Sequence, residues 1–330
     1  MKIEEKLSKI NNKNNVKTNT KTNTKINTQI NTKTKTKTNN GTDNHRIRTS
    51  ITNIQPNKII TRGYPQEELI NNISFSEMVY LLLKGELPSL KEAKMLNHIL
   101  ISFCDHGVTP PSTQTSRLIA SSGSPLNVSL AGGLLSFGKN HAGAIEDSME
   151  LFQELIKSDF YIHNNLNNNN KHNNNHNNNH NRNHNHNNYS KCNKNMDIIA
   201  NDIINEYKLK NKKIPGFGHR YHNKDPRGAK LMELAKKENF IGPHSELALA
   251  IEEVLFKEKG ININVDGASG ALLSDMGFSS NEGFGIFMIG RIPGIIAHVT
   301  EEVNDEEEFR KFCDISDISY CGDLNKSIDD

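Results

Sequence analysis

Three histidines and an aspartate stand in four glycine-marked or polar loops: Asp105-His106-Gly107, Lys139-Asn140-His141, Gly218-His219-Arg220 and Asn264-Val265-Asp266-Gly267. Such a set is what an acid–base site needs, one group taking a proton while others donate to a developing oxyanion. The same groups are potential metal ligands. Their spacing excludes a continuous helical motif such as HExxH, but a zinc site of three His and one Asp stays open, because such ligands converge from anywhere in a chain. The densest stretch is residues 214–227, "IPGFGHRYHNKDPR". Its glycines let a backbone approach a ligand closely and its prolines fix the shape of the loop. Arg220, Lys224 and Arg227 gather beside His219, which points to an anion.

The elements that position these loops read as helices. Ser74-x-x-Glu77 and Ser89-x-x-Glu92 are capping boxes, each followed by an apolar run, and Gly85 marks a stop. Met95, Leu96, Ile99, Leu100 and Phe103 recur at helical spacing. Ser124-Pro125 reads as a cap and first-turn proline for a helix near 125–137. "AIEDSMELFQELI", "MDIIANDIINEY", "GAKLMELAKKENF" and "SELALAIEEVLFKEKG" continue the pattern. A short extended "ININV" leads to Asp266, and two further helical runs, "GFGIFMIG" and "PGIIAHVTEEV", close the chain. Strand alternation is almost absent, so the fold class is mostly α.

Two tracts stand apart. Residues 1–50 alternate Asn, Thr and Lys and cannot bury enough apolar surface to offset their ordering entropy, so they are expected to be a disordered tail. Residues 163–195 are nearly all Asn with scattered His and read as a disordered surface insertion between two helices. The first fifty residues hold 12 Lys/Arg against 3 Asp/Glu, leaving 28 basic and 35 acidic residues of the chain's 40 and 38. The folded part is therefore mildly acidic, which argues against nucleic acid as the main partner. Cys104, Cys192, Cys313 and Cys321 show no CxxC spacing, so neither a zinc site nor a disulfide framework is suggested. No apolar run reaches membrane-spanning length and the polar N-terminus is no secretory signal. The expectation is a cytoplasmic protein without a membrane partner.

Four ordered motifs carry a family resemblance. "PGFGHR" with "DPR" after it, "NVDGASG", Arg291 in "IGRIPGIIAH", and the upstream "RGYPQEEL" and "YLLLKGELPS" resemble the citrate synthase superfamily. "CDHGVTPPSTQ" and Gly267 after the aspartate are similar to its short branch, which holds citryl-CoA lyase-like proteins and the carboxy-terminal module of ATP-citrate lyase. "NHAGA" at 140–144 also resembles the phosphohistidine loop of succinyl-CoA synthetases, but the nucleotide-binding glycine loops expected with it are missing. The main resemblance runs over about residues 51–320, broken by the Asn tract.

The resemblance implies a two-domain helical fold, with a large domain of 51–145 and 268–330 and a small domain of 146–267. It implies a Claisen-type condensation of acetyl-CoA with oxaloacetate, or the reverse cleavage of citryl-CoA. No metal or cofactor is implied beyond the coenzyme A thioester that serves as substrate. Asp266 would be the base at the acetyl methyl, His141 the donor to the thioester oxygen, and His219 the donor to the oxaloacetate carbonyl. His106, Arg227 and Arg291 would hold oxaloacetate. A last carboxylate ligand would come from a partner subunit, with Arg310 or Lys311 as candidates, in a homodimer or an oligomer of dimers. Coenzyme A would lie along Ile214, Pro215, Gly216, Phe217 and Gly218. The second loop of the ATP-citrate lyase module lacks a histidine, whereas His141 stands here as in the synthases. The parts of that enzyme that use ATP have no counterpart, so no coupling to ATP is expected. The alternative function is a non-catalytic CoA-binding or assembly subunit; His141, His219 and Asp266 together argue against it.

Overall fold

The computed structural model describes residues 47–171, 193–311, 313–325 and 327–328. The disorder expected of residues 1–50 and 163–195 falls largely outside these. At the start of the described chain stands a small antiparallel meander, β1 (Thr52–Gln55), β2 (Lys58–Thr61) and β3 (Tyr64–Pro65). Gln55 pairs with Lys58, so Pro56 and Asn57 form the turn, and Asn57 takes a φ of 56°. The meander was not legible in the sequence because most of its side chains face solvent and show no in–out alternation. Arg62 pins it to the helices, Nε donating to Leu82 O at 3.2 Å.

Helices make up the rest. α1 (Gln66–Asn72), α2 (Phe75–Lys84) and α3 (Leu90–Phe103) follow the sequence signals, and both expected capping boxes form. α4 (Pro111–Ser121) and α5 (Leu126–Leu135) come next. Pro125 is the N-cap of α5 rather than its first helical residue, and no side chain caps it. The Pro125 carbonyl, accepting from Val128 and Ser129, takes the starting role expected of Ser124. α6 (Gly143–Lys171) runs nine residues into the Asn tract, and α7 (Asn193–Leu209) takes up its last three. Prolonging a formed helix costs far less than nucleating one.

α8 (Pro226–Lys237), α9 (Pro243–Lys259), α10 (Val265–Asp275) and α11 (Ser280–Asp305) complete the set. The two terminal runs of the sequence are one helix, α11, with Pro293 inside it. Pro293 brings no N–H to the carbonyl one turn back, but packing on several sides holds the helix together. By length and composition α11 could cross a membrane, against the expectation that no run was long enough. Here it is a core helix, burying Ile286, Phe287, Ile295 and Val299 together with Arg291 and Glu302.

α10 is the most enclosed element. Every residue from Gly267 to Ser274 is buried, against α6, α8 and α9. Phe103, Phe152, Phe278, Ile145, Met149 and Leu247 fill the core around it. α10 therefore presents Asp266 in its first turn from a fixed base, and α11 does the same for Arg291. Gly294 lets α11 cross close to the end of α3, since a Cβ there would stand 2.0 Å from Cys104 O.

Candidate active site

Backbone bonds tie two of the predicted loops together. Gly218 N donates to Asn262 O (2.8 Å) and Asn264 N to Gly216 O (3.0 Å), flanking a bridge between Phe217 and Ile263. Asn264 completes the join: its Nδ2 donates to Gly218 O (2.7 Å) and its Oδ1 accepts from Gly267 N (3.0 Å), capping α10. The approach demands glycine on both sides. Gly216 takes a φ of 84°, and a Cβ on Gly267 would stand 2.2 Å from Gly216 O. His219 and Asp266 are thereby delivered to the same cleft.

That cleft, of about 290 Å³, is lined by His106, His141, His219, Arg227, Asp266 and Arg291. All three predicted catalytic residues and three of the four predicted substrate ligands converge there. The four loops come from positions up to 162 residues apart in sequence, Asp105 to Gly267.

The hydrogen bonds assign the histidine tautomers. Tyr221 N donates to His219 Nδ1 (3.1 Å), so the neutral ring carries its proton on Nε2. His219 Nε2 lies 3.2 Å from His106 Nε2 and, at the longer distance of 3.5 Å, from Arg227 Nη2; with its proton on Nε2 it donates to His106. The ring planes are within 3° of parallel with centroids 5.3 Å apart, which with the short N···N distance places the rings edge to edge rather than face to face. Burial lowers the His219 pKa, with His106, His222 and Arg227 adding to it against Asp225. Burial and the charges of Arg227 and Arg291 lower that of His106.

His141 sits on a tight turn, where Gly138 N donates to His141 O and His141 N to Gly138 O, both at 2.9 Å. Ser112 N, in the first turn of α4, donates to His141 Nε2 (3.3 Å) and Ser112 Oγ lies 2.9 Å from it. The imidazole proton is then on Nδ1. Burial, with Arg291 and Arg220, pushes the pKa of His141 down to about 4, so near neutral pH it is an uncharged donor.

Asp266 lines the cleft and is partly exposed to it, yet protein surrounds it elsewhere. Burial pushes its carboxyl up to about 6, with Asp225 raising it further and Arg227 and Arg291 opposing. Asp225, only 1% exposed, organises this end of the site. It caps α8 through Arg227 N (3.0 Å), accepts Arg227 Nε (3.1 Å) and Nη2 (3.0 Å), and accepts Val265 N (3.0 Å) at the start of α10. Burial raises its pKa, but these donors outweigh it and hold it below the ordinary value. Arg291 is 3% exposed and its Nε donates to Phe103 O (2.7 Å), a neutral acceptor. Burial and neighbouring Arg227 lower its pKa, with Asp105 and Asp266 opposing.

A second cavity of about 420 Å³ adjoins the first, sharing Gly218, His219 and Arg220 with it. Ile214 and Phe217 line it, together with Lys208, Lys212, Lys213 and Lys259. Pro215 is partly buried and Gly216 buried behind it. Arg310 lies elsewhere: its Nε is 2.7 Å from Glu302, and it lines a separate pocket with Arg117 and Glu301. Within its own chain it does not reach the cleft. Sequence reasoning missed Asp225 and Ser112. Asp225 was in plain sight in "DPR", next to the arginine it positions. Ser112 gave no signal, since its contact with His141 spans 29 residues.

The chain matches the family model for the citrate synthase C-terminal domain over residues 42–96 and 88–311. It is 36% identical to citryl-CoA lyase from Hydrogenobacter thermophilus, with a TM-score of 0.69 over 86% of this chain and 98% of that one. ATP citrate lyase from Methanothrix soehngenii, solved with citrate and coenzyme A, shares the fold at 20% identity, with a TM-score of 0.66 over 97% of this chain and 49% of that one. Citrate synthase from Heyndrickxia coagulans is 25% identical over 267 residues, 79% of this chain and 60% of its own length. The chain spans about three-fifths or less of the curated relatives it matches.

Proposed function

The chain belongs to the citrate synthase family, and from that premise we propose that it forms or cleaves the carbon–carbon bond of citryl-CoA. In the forward direction Asp266 takes a proton from the acetyl methyl of acetyl-CoA. The His141 Nδ1–H donates to the thioester oxygen as the enolate forms, and its low pKa keeps it uncharged throughout. The enolate carbon attacks the ketone of oxaloacetate while the His219 Nε2–H donates to the carbonyl oxygen that becomes an alkoxide. Arg227, Arg291 and His106 hold the two carboxylates. Cleavage runs the same groups backwards. Coenzyme A lies in the adjoining cavity, its phosphates among Lys208, Lys212 and Lys213 and its thioester arm along 214–218. No metal or further cofactor takes part, and the reaction belongs in the cytoplasm.

The observation that carries this reading is the meeting of a carboxylate with a raised pKa and two neutral imidazole donors beside two arginines. Each group is in the protonation state the chemistry asks of it. A two-body division at 145/146 and 267/268 is part of the proposal, as is homodimerisation. α5 ("LNVSLAGGLL") is apolar on all sides, yet Leu126, Val128 and Leu135 are exposed, Leu135 at 85%. A helix without a polar face is normally covered. For Arg310 to serve a partner's carboxylate site it would first have to leave Glu302.

The test is direct. The pure protein is incubated with acetyl-CoA and oxaloacetate, then separately with citryl-CoA, and the products are identified. Turnover of citryl-CoA, to citrate and coenzyme A or to acetyl-CoA and oxaloacetate, is expected. Folded protein that turns over neither substrate set would sink the proposal.

A further inference from the structure

Beside the three histidines of the cleft stands a fourth for which the reaction above has no use. His222 lies on the same turn as His219, its ring centroid 4.6 Å from that of His219 and 6.3 Å from that of His106. One ring nitrogen from each of these three lies within 4.8 Å of the others. Two nitrogens bound to one tetrahedral zinc at about 2.0–2.1 Å stand about 3.3 Å apart. His106 and His219 already hold their Nε2 atoms at 3.2 Å. His222 is exposed, so its ring is free to turn toward the pair.

Further features bear on an ion here. The charges facing the imidazoles are mixed: Arg227 Nη2 stands 3.5 Å from His219 Nε2 and would have to turn aside for an ion, and Arg291 lies near His106, against Asp225. Coordination through His219 Nε2 would move its proton to Nδ1 and break the bond from Tyr221 N, so affinity should be modest. Borderline-soft divalent ions that favour imidazole meet these conditions better than hard oxygen-seeking ones.

We propose that His106, His219 and His222 bind a divalent transition ion of the zinc class, and that the bound ion shuts the dicarboxylate out of the cleft. The second half rests on the function proposed above; the first does not. The ion takes the nitrogen that His219 offers the substrate ketone and sits between the two imidazoles that face it. Zinc is then a reversible inhibitor competing with oxaloacetate, and His222 is the ligand that serves the ion alone.

Full-length wild type and His222→Asn are titrated with Zn²⁺ by calorimetry, and with Co²⁺ by its visible absorption. Any metal taken by histidines of the Asn tract is common to both proteins, so the difference between the two is the measurement. Loss of a ligand should weaken one site by at least the about 10–100-fold seen when second-shell partners are removed. Metal-free turnover should be unchanged in His222→Asn, and zinc inhibition relieved by a similar factor. His106→Asn, read by calorimetry only, should lose the same site. Superimposable isotherms and cobalt spectra for wild type and His222→Asn would overturn the ion site. If the site is confirmed but oxaloacetate leaves its zinc affinity unchanged, the exclusion half is wrong, and so is the assignment of His106 and His219 to oxaloacetate.

Discussion

Asp266 carries two opposed consequences of its burial. A carboxylate with a pKa near 6 is a better proton acceptor than an ordinary aspartate, but holding it ionised costs stability. Asp266→Asn keeps the shape and removes the acceptor, and a positioned general base is worth about 10²–10⁴ in rate. Turnover should fall by about that factor, with oxaloacetate binding little changed. Exchange of the acetyl methyl protons of acetyl-CoA into deuterated water, with an oxaloacetate analogue bound, isolates the step. Exchange at the wild-type rate in the variant would place the base elsewhere. The stability sign is opposite. The folded pKa lies above the unfolded one, so the native state binds the proton first as pH falls, and the cost of the charge disappears between pH 6 and 4. Asp266→Asn should therefore be more stable than wild type near pH 7, by on the order of 3 kcal/mol, with the gap closing toward pH 4. Thermal unfolding across that range measures it.

At the scale of elements, α11 grips the loop that carries His106 at two points. Arg291 Nε donates to Phe103 O, and two turns later His298 Nε2 donates to Asp105 Oδ1 (3.0 Å) while Asp105 accepts from Gly107 N (3.0 Å). His298 is thus a positioning residue for His106. His298→Ala should raise the KM for oxaloacetate by about tenfold, the worth of one hydrogen bond of about 1.4 kcal/mol, with kcat changed much less. His298→Gln, which still donates, should recover most of the loss. Equal falls in kcat and thermal stability, with KM unmoved, would leave His298 a packing residue only. The crossing of the 216–218 loop over α10 gives a second prediction at this scale. Gly267→Ala forces a methyl into Gly216 O and should cost about 2–4 kcal/mol by overpacking and a broken backbone join. Denaturant unfolding reads it, and a change below about 0.5 kcal/mol would show that the two loops are free to part.

For the whole molecule, the uncovered face of α5 is the feature that a single chain leaves unexplained. If a second copy covers it, Leu135→Lys should place a charge in the interface and shift sedimentation from dimer to monomer. Activity should fall with it only if the partner completes the site. A wild-type chain that sediments as a monomer at all concentrations would remove the dimer from the proposal.

The sequence by itself determined the helices and the chemical identity of the site. Capping boxes at Ser74 and Ser89, the apolar period around Met95 and Phe103, and the glycines beside His219 and Asp266 are local signals, readable because their causes lie within a few residues. "PGFGHR", "DPR" and "NVDGASG" named the family for the same reason. The protonation states were decided only by tertiary structure. Nothing near His141 in sequence says that Ser112 will fix its tautomer or that Arg291 and Arg220 will hold its pKa near 4. The rise at Asp266 comes from burial by elements distant in the chain, and the fusion of two apolar runs across Pro293 comes from packing that outweighs one missing hydrogen bond. Arg310 shows the same limit from the other side: its charge was visible in the sequence, but only the fold assigned that charge to Glu302. Electrostatic environment is a sum over neighbours in space, and sequence lists neighbours along the chain.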